Sequence, residues 1–396
     1  MKGIALALAA TLASLCAQGA VAREALEVPS VNAPVQFDTV TSDGSRVRGQ
    51  IDLPAQAPRL GVILVAGTGP FDRDVFLGAS RSDRDLVFLD LARSLTERGA
   101  AVARYDKRGV RRDQAKAAAF ADLPAPVGWW SPDLSRTPDD APEYATAESG
   151  PADLQAVYDH LRQSLPDVPI VVLAHSEGML HVAQAVERGD IAPAAIVGMG
   201  ALMESPASAF SWQRIERIPQ SLASLDSDGD RVVSNDEVRA GFSRTPAAVF
   251  GAVEAFLAPD GSWTAEDLAA MNAAWTRFYE RESRDALAHK PEDLLTTGDT
   301  VVATYSWWRT WFTDTTPVAA RLAGRMPVRL FYGTIDSQTP AVRQRAAVEA
   351  AGLQATVEVL PDLGHTLGTD VFRGPLSTEA RTRVVEAVFS VVGQTP

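Results

Sequence analysis

The chain has 396 residues, a formal net charge of −13 at pH 7 and a single cysteine. A chain of this length can bury a large core. Its acidic balance, without a basic patch that carries interleaved aromatic residues, argues against nucleic acid as a partner. After the N-terminal segment, no stretch is long and apolar enough to span a membrane.

The first 22 residues are typical of a secretion signal. Lys2 supplies the positive start, and residues 4–15 form an apolar run that is too short for a stable membrane span. Ala20 and Ala22 give the small-x-small pattern of a cleavage site, so we expect cleavage after Ala22. A membrane-tethered N-terminus is the alternative. Cleavage would remove Lys2 and the only cysteine, leaving a charge of −14 and no disulfides, which predicts a periplasmic or secreted protein.

Short apolar runs alternate with helical patterns along most of the remaining chain. Residues 35–54 predict a β-hairpin around a Ser-Asp-Gly turn. Further strands are predicted at 60–65, 101–105, 170–174, 191–199, 328–332 and 356–360. Helices are predicted at 86–95, 152–165, 179–188, 341–351 and 378–392. This alternation predicts an α/β protein with a mostly parallel sheet and helices on both faces.

Two stretches interrupt the alternation. Residues 114–150, rich in Ala, Pro and Asp, predict a long surface loop. Residues 201–317 show several helical patterns and no clear strand, and predict a helical cap inserted into the sheet. The chain then divides into a first core part (23–200), the cap, and a second core part (318–396).

A candidate nucleophile lies where the predicted strand 170–174 runs directly into a helix. Ser176 is flanked there by Ala174 and Gly178. A strand-to-helix turn this sharp requires small residues on either side of the serine, because the backbone must pass close to its neighbours. The position of the motif between a buried strand and a helix predicts an exposed, reactive serine.

A serine nucleophile needs a base and a carboxylate that orients it. Of the five histidines, His365 is the one that follows a late predicted strand in a loop, and we expect the side chain of His175 to point elsewhere. Asp336 lies just past the preceding strand, 328–332. Asp362 is the weaker candidate, because a residue so near His365 in one loop cannot easily face its ring nitrogen.

Two backbone N–H groups are predicted to bind the oxyanion that acyl transfer creates. One belongs to Glu177, directly after the serine. The other is assigned to Thr68, in the glycine-containing loop after strand 60–65. A plain glycine turn is the alternative interpretation of that loop.

Four segments resemble a bacterial α/β-hydrolase group related to dienelactone hydrolases and prolyl-oligopeptidase-like esterases. They are residues 67–74, 104–109, 175–178 and 333–336. The resemblance implies the α/β-hydrolase fold, in which a nucleophile, an acid and a base follow in this chain order. It further implies that Ser176, Asp336 and His365 are the catalytic triad, with Thr68 and Glu177 as the oxyanion hole.

The expected function is therefore that of an exported serine hydrolase that cleaves carboxylic esters of small molecules through an acyl-enzyme, without a cofactor for catalysis. A peptidase or acyltransferase with the same triad is the alternative. A calcium-dependent binding protein on an inactive hydrolase scaffold is a third class, against which the intact triad argues. The charged clusters at 72–74 and 106–108 are interpreted as scaffolding.

The cap is rich in aromatic side chains, which either line an acyl or aryl pocket over Ser176 or fill the cap's own core. They are Trp212, Trp263, Trp275, Phe278, Tyr279, Tyr305, Trp307, Trp308 and Trp311. The segment that begins at Trp307 resembles the one that rejoins cap and core in relatives. We therefore expect this segment, residues 307–309, to lie nearest the site.

Residues 226–237 are spaced like a twelve-residue EF-hand loop, and predict a structural Ca²⁺ site that rigidifies the cap. The predicted ligands are Asp226, Asp228, Asp230, the backbone carbonyl of Val232, Ser234 and Glu237. Arg231 takes the sixth position, where glycine is usual, so we expect it to adopt a positive φ and to weaken binding. A solvated acidic turn is the alternative.

The helices on either side of this loop are expected to pack through Leu222 and Leu225 against Val238 and Phe242. Residues 260–267 resemble the second half of another such loop. That loop would have apolar residues at its first and third positions and cannot chelate, but it could pair with the first loop as a scaffold.

Overall fold

The computed structural model describes residues 34–69, 71–77, 83–108, 110, 144–297 and 300–394. The predicted signal segment and most of the predicted loop 114–150 lie outside these residues. The strands are β1 (Val35–Val40), β2 (Arg46–Asp52), β3 (Leu60–Val65), β4 (Ala100–Tyr105), β5 (Ile170–His175), β6 (Ala195–Met199), β7 (Val232–Ser234), β8 (Ser262–Thr264), β9 (Leu294–Thr297), β10 (Thr300–Thr304), β11 (Val328–Gly333) and β12 (Ala355–Leu360).

The helices alternate with the strands in the core and dominate the cap. They are α1 (Val87–Glu97), α2 (Ser149–Ser164), α3 (Gly178–Arg188), α4 (Pro206–Ser211), α5 (Arg217–Ala223), α6 (Asn235–Gly241), α7 (Ala265–Ala288), α8 (Tyr305–Thr313), α9 (Val318–Leu322), α10 (Ala341–Ala350) and α11 (Thr378–Ser390). A π-helical turn, Trp212–Glu216, joins α4 to α5. Among the described residues, no helix has the length and apolarity that a membrane crossing requires.

Eight strands form one sheet in the order β1-β2-β4-β3-β5-β6-β11-β12. The β1–β2 and β2–β4 pairs are antiparallel and all the others are parallel, which confirms the predicted hairpin and the mostly parallel sheet. Parallel strands end at the same edge of a sheet. The loops after β3, β5, β11 and β12, which carry the predicted site residues, therefore meet at one edge.

At β3 both faces of the sheet are buried, as the apolar sequence of this strand requires. Val62 and Leu64 pack with residues of α1 and α11 on one face. Ile63 and Val65 pack with residues of α2 and α3 on the other. Successive side chains of a strand point to opposite faces, so the sequence of a strand that is covered on both sides is a continuous run of apolar residues.

The observed bounds of most core elements lie within one to three residues of the predicted ones, and one strand begins later than predicted. The strand predicted at 191–199 begins only at Ala195, because Pro193 has no N–H to donate to a ladder. The last helix ends at Ser390 instead of 392 and passes into a 3₁₀ turn.

The prediction that the cap region contains no strand is wrong. β7 pairs with β8 and β9 pairs with β10, each pair antiparallel. These strands have three to five residues, which is too short for alternating polarity to stand out against the surrounding helical patterns.

The aromatic side chains of the cap divide between two cores. Trp275 is buried in a separate cap core that includes Trp263 and Phe278 at its margin. Trp308 and Trp311 join the main core of the sheet instead, where Phe210 packs edge-on against Trp308 with ring centroids 5.1 Å apart. The cap is thus held to the sheet by an aromatic cluster and has a core of its own.

A buried group of charges joins the antiparallel and parallel parts of the sheet. Arg104 on β4 is 1% exposed and pairs with Asp52 of β2 at 2.7 Å and with Asp74 in the loop that follows β3. Burial would lower the pKa of Arg104, but the two carboxylates hold it above its ordinary value. Removing one member of such a group leaves its partners buried and uncompensated.

We predict that Arg104→Met lowers the free energy of unfolding by about 3–5 kcal/mol, because two carboxylates lose their cation inside the protein. Urea denaturation followed by circular dichroism measures the shift. Arg48→Met is the matched control, since Arg48 on β2 pairs with Asp38 at 3.8 Å in a partly exposed pair, and should cost less than about 1 kcal/mol. Equal shifts for the two variants would contradict the prediction.

Candidate active site

Ser176 lies in a sharp turn between β5 and α3. Its φ is +56°, a left-handed conformation that non-glycine residues rarely adopt. A Cβ on Gly178 would lie 2.5 Å from the carbonyl oxygen of Val65, so the next turn of backbone passes β3 at a distance that only glycine allows. The turn therefore presents a partly exposed serine at the carboxyl edge of the sheet.

His365 and Asp336 are in direct contact. The Nδ1 atom of His365 lies 3.0 Å from each carboxylate oxygen of Asp336, and both residues are buried. Burial would raise the pKa of Asp336, but the adjacent imidazole and the donated N–H groups of Gln338 and Thr339 hold that pKa below its ordinary value. The carboxylate thus stays ionised and orients the ring.

The alternative carboxylate, Asp362, is not part of this pair. Its side chain is exposed and forms an ion pair with Arg244, which lies in a 3₁₀ turn of the cap. Of the two candidate acids, the structure brings only Asp336 to the histidine.

The His365 loop lies directly beside the serine turn. Gly200 follows β6, the neighbour of β5, and a Cβ there would lie 2.5 Å from the carbonyl oxygen of His365. The His175 ring stands 4.7 Å from the His365 ring, with its Nε2 atom 3.4 Å from the His365 carbonyl oxygen. The His175 side chain is thus directed at the His365 ring, and its expected direction away from Ser176 stays a prediction. Burial lowers the pKa of His175 to about 3, so its ring is neutral near pH 7.

The loop after β3 covers the serine turn from the other side. A Cβ on Gly67 would lie 2.7 Å from the Cβ of Ser176, which places the predicted donor Thr68 next to the nucleophile. Glu177 immediately precedes α3. The first N–H groups of a helix have no partner within it, so this amide is also free to bind an anion beside Ser176.

The side chain of Glu177 has contacts that the sequence reasoning missed. It is 2% exposed and accepts hydrogen bonds from Nε1 of Trp307, at 2.7 Å, and from the Thr68 side chain. Its carboxylate also lies 3.8 Å from Nζ of Lys107 and 3.9 Å from Nε2 of His181. Burial would raise the pKa of Glu177, but these cationic and donor groups hold it lower. The Trp307 contact agrees with its predicted place near the site.

The charged clusters at 72–74 and 106–108 largely pair with each other and with the core. Arg73 donates to both carboxylate oxygens of Asp106, at 3.0 and 2.6 Å. Arg108 pairs with Asp153 of α2 at 2.7 Å. These contacts fit the scaffolding interpretation. Lys107 differs, because its ammonium group points at the loop after β3.

The EF-hand-like loop gathers part of the predicted ligand set. One oxygen from each of Asp226, Asp228 and Glu237 lies within 4.8 Å of the others. Asp230 lies outside this cluster, and its Oδ1 accepts the N–H of Val232 at 2.7 Å. Ser234 caps α6, where it exchanges hydrogen bonds with Glu237.

The backbone of this loop has the expected form. Arg231 adopts a φ of +69° at the sixth position. β7, within the loop, pairs with β8 of the second half-motif, so that Val233 lies opposite Trp263. The side chain of Asn235 both donates to and accepts from the backbone of Ala258. The buried residues of the flanking helices share one core, which contains Leu222, Val233, Val238 and Phe242, with Leu225 packed against it.

No family model matches the chain, and neither does any curated protein. Among solved structures, the chain is similar to an open-form lipase, with a TM-score of 0.50 and 16% identity. The match covers 91% of this chain and 99% of the lipase. The chain has the α/β-hydrolase fold. A carboxyl esterase from Bacillus coagulans (TM-score 0.48, 14% identity) and Est1E from Butyrivibrio proteoclasticus (TM-score 0.45, 14% identity) each cover 91% of the chain and 99% of their own length.

We predict that a fluorophosphonate probe labels Ser176, and that Asp336→Asn slows labelling on the order of 10³- to 10⁴-fold, because the imidazole loses its ionised partner. In-gel fluorescence against time gives the rate. Asp362→Asn is the matched control and should label at the wild-type rate. The assignment of the acid fails if the two variants behave in the opposite way.

Proposed function

We propose that this α/β-hydrolase is a serine hydrolase that cleaves carboxylic esters of small molecules through an acyl-enzyme intermediate. The contact of Asp336 with Nδ1 of His365, beside a serine held in a left-handed turn, carries the proposal. The open-form lipase named above shares the fold, and its activity agrees with the proposal.

In the proposed mechanism, Asp336 holds the imidazole with its proton on Nδ1. Nε2 of His365 then accepts the proton of Ser176 as the serine oxygen attacks the ester carbonyl. The N–H groups of Thr68 and Glu177 stabilise the oxyanion that develops. His365 returns the proton to the departing alcohol, and water then attacks the acyl-enzyme by the same steps.

A peptidase or an acyltransferase could use the same three residues, and the substrate separates these activities. We predict hydrolysis of p-nitrophenyl esters and little hydrolysis of aminoacyl p-nitroanilides. Ser176→Ala should abolish ester turnover without a change in thermal stability, since the hydroxyl is the nucleophile and lies partly exposed. An ester panel of rising acyl length, read by released p-nitrophenolate, makes the measurement. Ester activity that persists in Ser176→Ala would falsify the proposal.

We further propose that the protein is exported to the periplasm or the medium. The support is the pattern of residues 1–22, with a positive start, a short apolar run and a small-x-small site.

We also propose that the loop 226–237 binds Ca²⁺ as a structural ion of the cap. Three carboxylates with converging oxygens are hard ligands that suit this ion. The left-handed Arg231 and the pairing of β7 with β8 are further support, since they give the loop the turn and the partner that such sites use. The oxygens of Glu237 now accept hydrogen bonds from Ser227 and Ser234, so binding would replace some of these contacts.

We predict that millimolar Ca²⁺ raises the melting temperature of chelator-treated protein by roughly 2–5 °C, because an ion that binds only the folded state stabilises it by mass action. The double variant Asp226→Ala/Glu237→Ala should lose this gain and keep most ester activity. Asp260→Ala, in the half-motif whose first and third positions are apolar, is the control and should keep the gain. Calorimetry that detects no uptake of millimolar Ca²⁺ by the wild type would rule the site out.

A further inference from the structure

Lys107 reaches from the end of β4 to the loop that covers Ser176. Its Nζ donates a hydrogen bond to the carbonyl oxygen of Gly67 at 2.5 Å. The backbone N–H of Lys107 donates to Phe71 in the same loop at 3.1 Å. Its side chain is only 23% exposed. A largely buried ammonium group therefore ends on one particular carbonyl beside the nucleophile.

That carbonyl belongs to the same peptide unit as the N–H of Thr68, the predicted second oxyanion donor. In a planar trans peptide the C=O and the N–H point in opposite directions. Fixing the Gly67 oxygen against Lys107 therefore also fixes the direction of the Thr68 N–H, which points away from the ammonium group.

The orientation of this peptide unit must be fixed by a further contact, because the residues on either side of Thr68, Gly67 and Gly69, are both glycines. Gly69 has a φ of +128°, and glycine permits backbone rotations that other residues do not. A flipped Gly67–Thr68 peptide would present a carbonyl oxygen to a developing negative charge, in place of a donor. The flip would destabilise the transition state, in which the oxyanion develops.

We propose that Lys107 is a positioning residue for the oxyanion hole: its contact with the Gly67 carbonyl holds the Thr68 N–H toward the oxyanion formed on Ser176. The proposal rests on the proposed function. It assigns to Lys107 an effect on the oxyanion beyond the scaffolding role of its neighbours.

Glu177 joins this arrangement to the other donor and to the cap. Its carboxylate lies 3.8 Å from Nζ of Lys107, accepts from the Thr68 side chain, and accepts from Trp307 of the cap. Burial lowers the pKa of Lys107, and the carboxylates of Glu177 and Asp153 oppose that shift. The Lys107–Glu177 ion pair thus links the loop of one proposed oxyanion donor, Thr68, to the residue that supplies the other.

The test compares substrate binding with oxyanion binding. We expect Lys107→Met to lower kcat for a p-nitrophenyl ester about 10- to 100-fold and to change KM less than about threefold. An alkyl trifluoromethyl ketone, which forms an oxyanion adduct with the serine, should lose affinity by the same factor as kcat. The matching methyl ketone should bind as it does to the wild type.

Variants separate positioning from charge balance. Lys107→Met/Glu177→Gln removes both charges and keeps an oxygen that accepts from Trp307, so it should fold even if Lys107→Met does not, and it should retain the kcat defect. Lys107→Arg can still donate to Gly67 and should recover part of the loss. Lys290→Met, at an exposed position of the cap, is the control for loss of a lysine and should match the wild type.

Folded variants without Lys107 that keep wild-type kcat and trifluoromethyl ketone affinity would overturn the proposal. So would full recovery of kcat in the double variant, because charge balance alone would then explain the effect of Lys107→Met. A wild type that hydrolyses no ester, or a Ser176→Ala variant that still does, would instead refute the proposed function, so the two failures are distinguishable.

Discussion

At Ser176 the backbone is held at a φ of +56°, a conformation that costs a non-glycine residue about 1–2 kcal/mol. Hydrogen bonds and close backbone packing hold it there. The Ser176 N–H donates to Met199 of β6 and its carbonyl accepts from Leu202, each at 3.2 Å. The glycines at 67 and 178 let the backbones of two flanking segments pass where any side chain would clash. A strained residue persists only where its surroundings determine it this fully.

Each loop that carries a residue of the proposed triad also has a polar contact with the cap. In the serine turn, Glu177 accepts a hydrogen bond from Trp307 of the cap. The acid loop is reached by Arg217 of α5, which donates to the carbonyl oxygen of Ser337, the residue after the acid, at 2.8 Å. The histidine loop is reached through the ion pair of Asp362 with Arg244. The cap therefore contacts all three of these loops.

Features that depend on local chemistry are predictable from the sequence. The buried strands stand out as apolar runs, and a serine between small residues at a strand-to-helix junction has few structural explanations. The cap strands are not predictable in this way, because strands of three to five residues are too short to show a clear alternation of polarity. The contacts of Lys107 and His175 are not predictable from the sequence for a different reason. Whether a lysine pairs with a carboxylate or reaches a carbonyl, and which way a ring turns, depends on chain segments that lie far apart in sequence.

The cap leaves the sheet after β6 and the chain returns as β11, the strand that pairs with β6. The proposed nucleophile therefore lies before the insertion, and the proposed acid and base lie after it. Both halves of the sheet must pack together before the reaction centre exists, so its assembly depends on contacts between distant parts of the chain, which form slowly. A cut within the cap would leave two pieces, neither of which carries a complete triad. Their non-covalent reassociation through the β6–β11 ladder would then be the step at which activity returns.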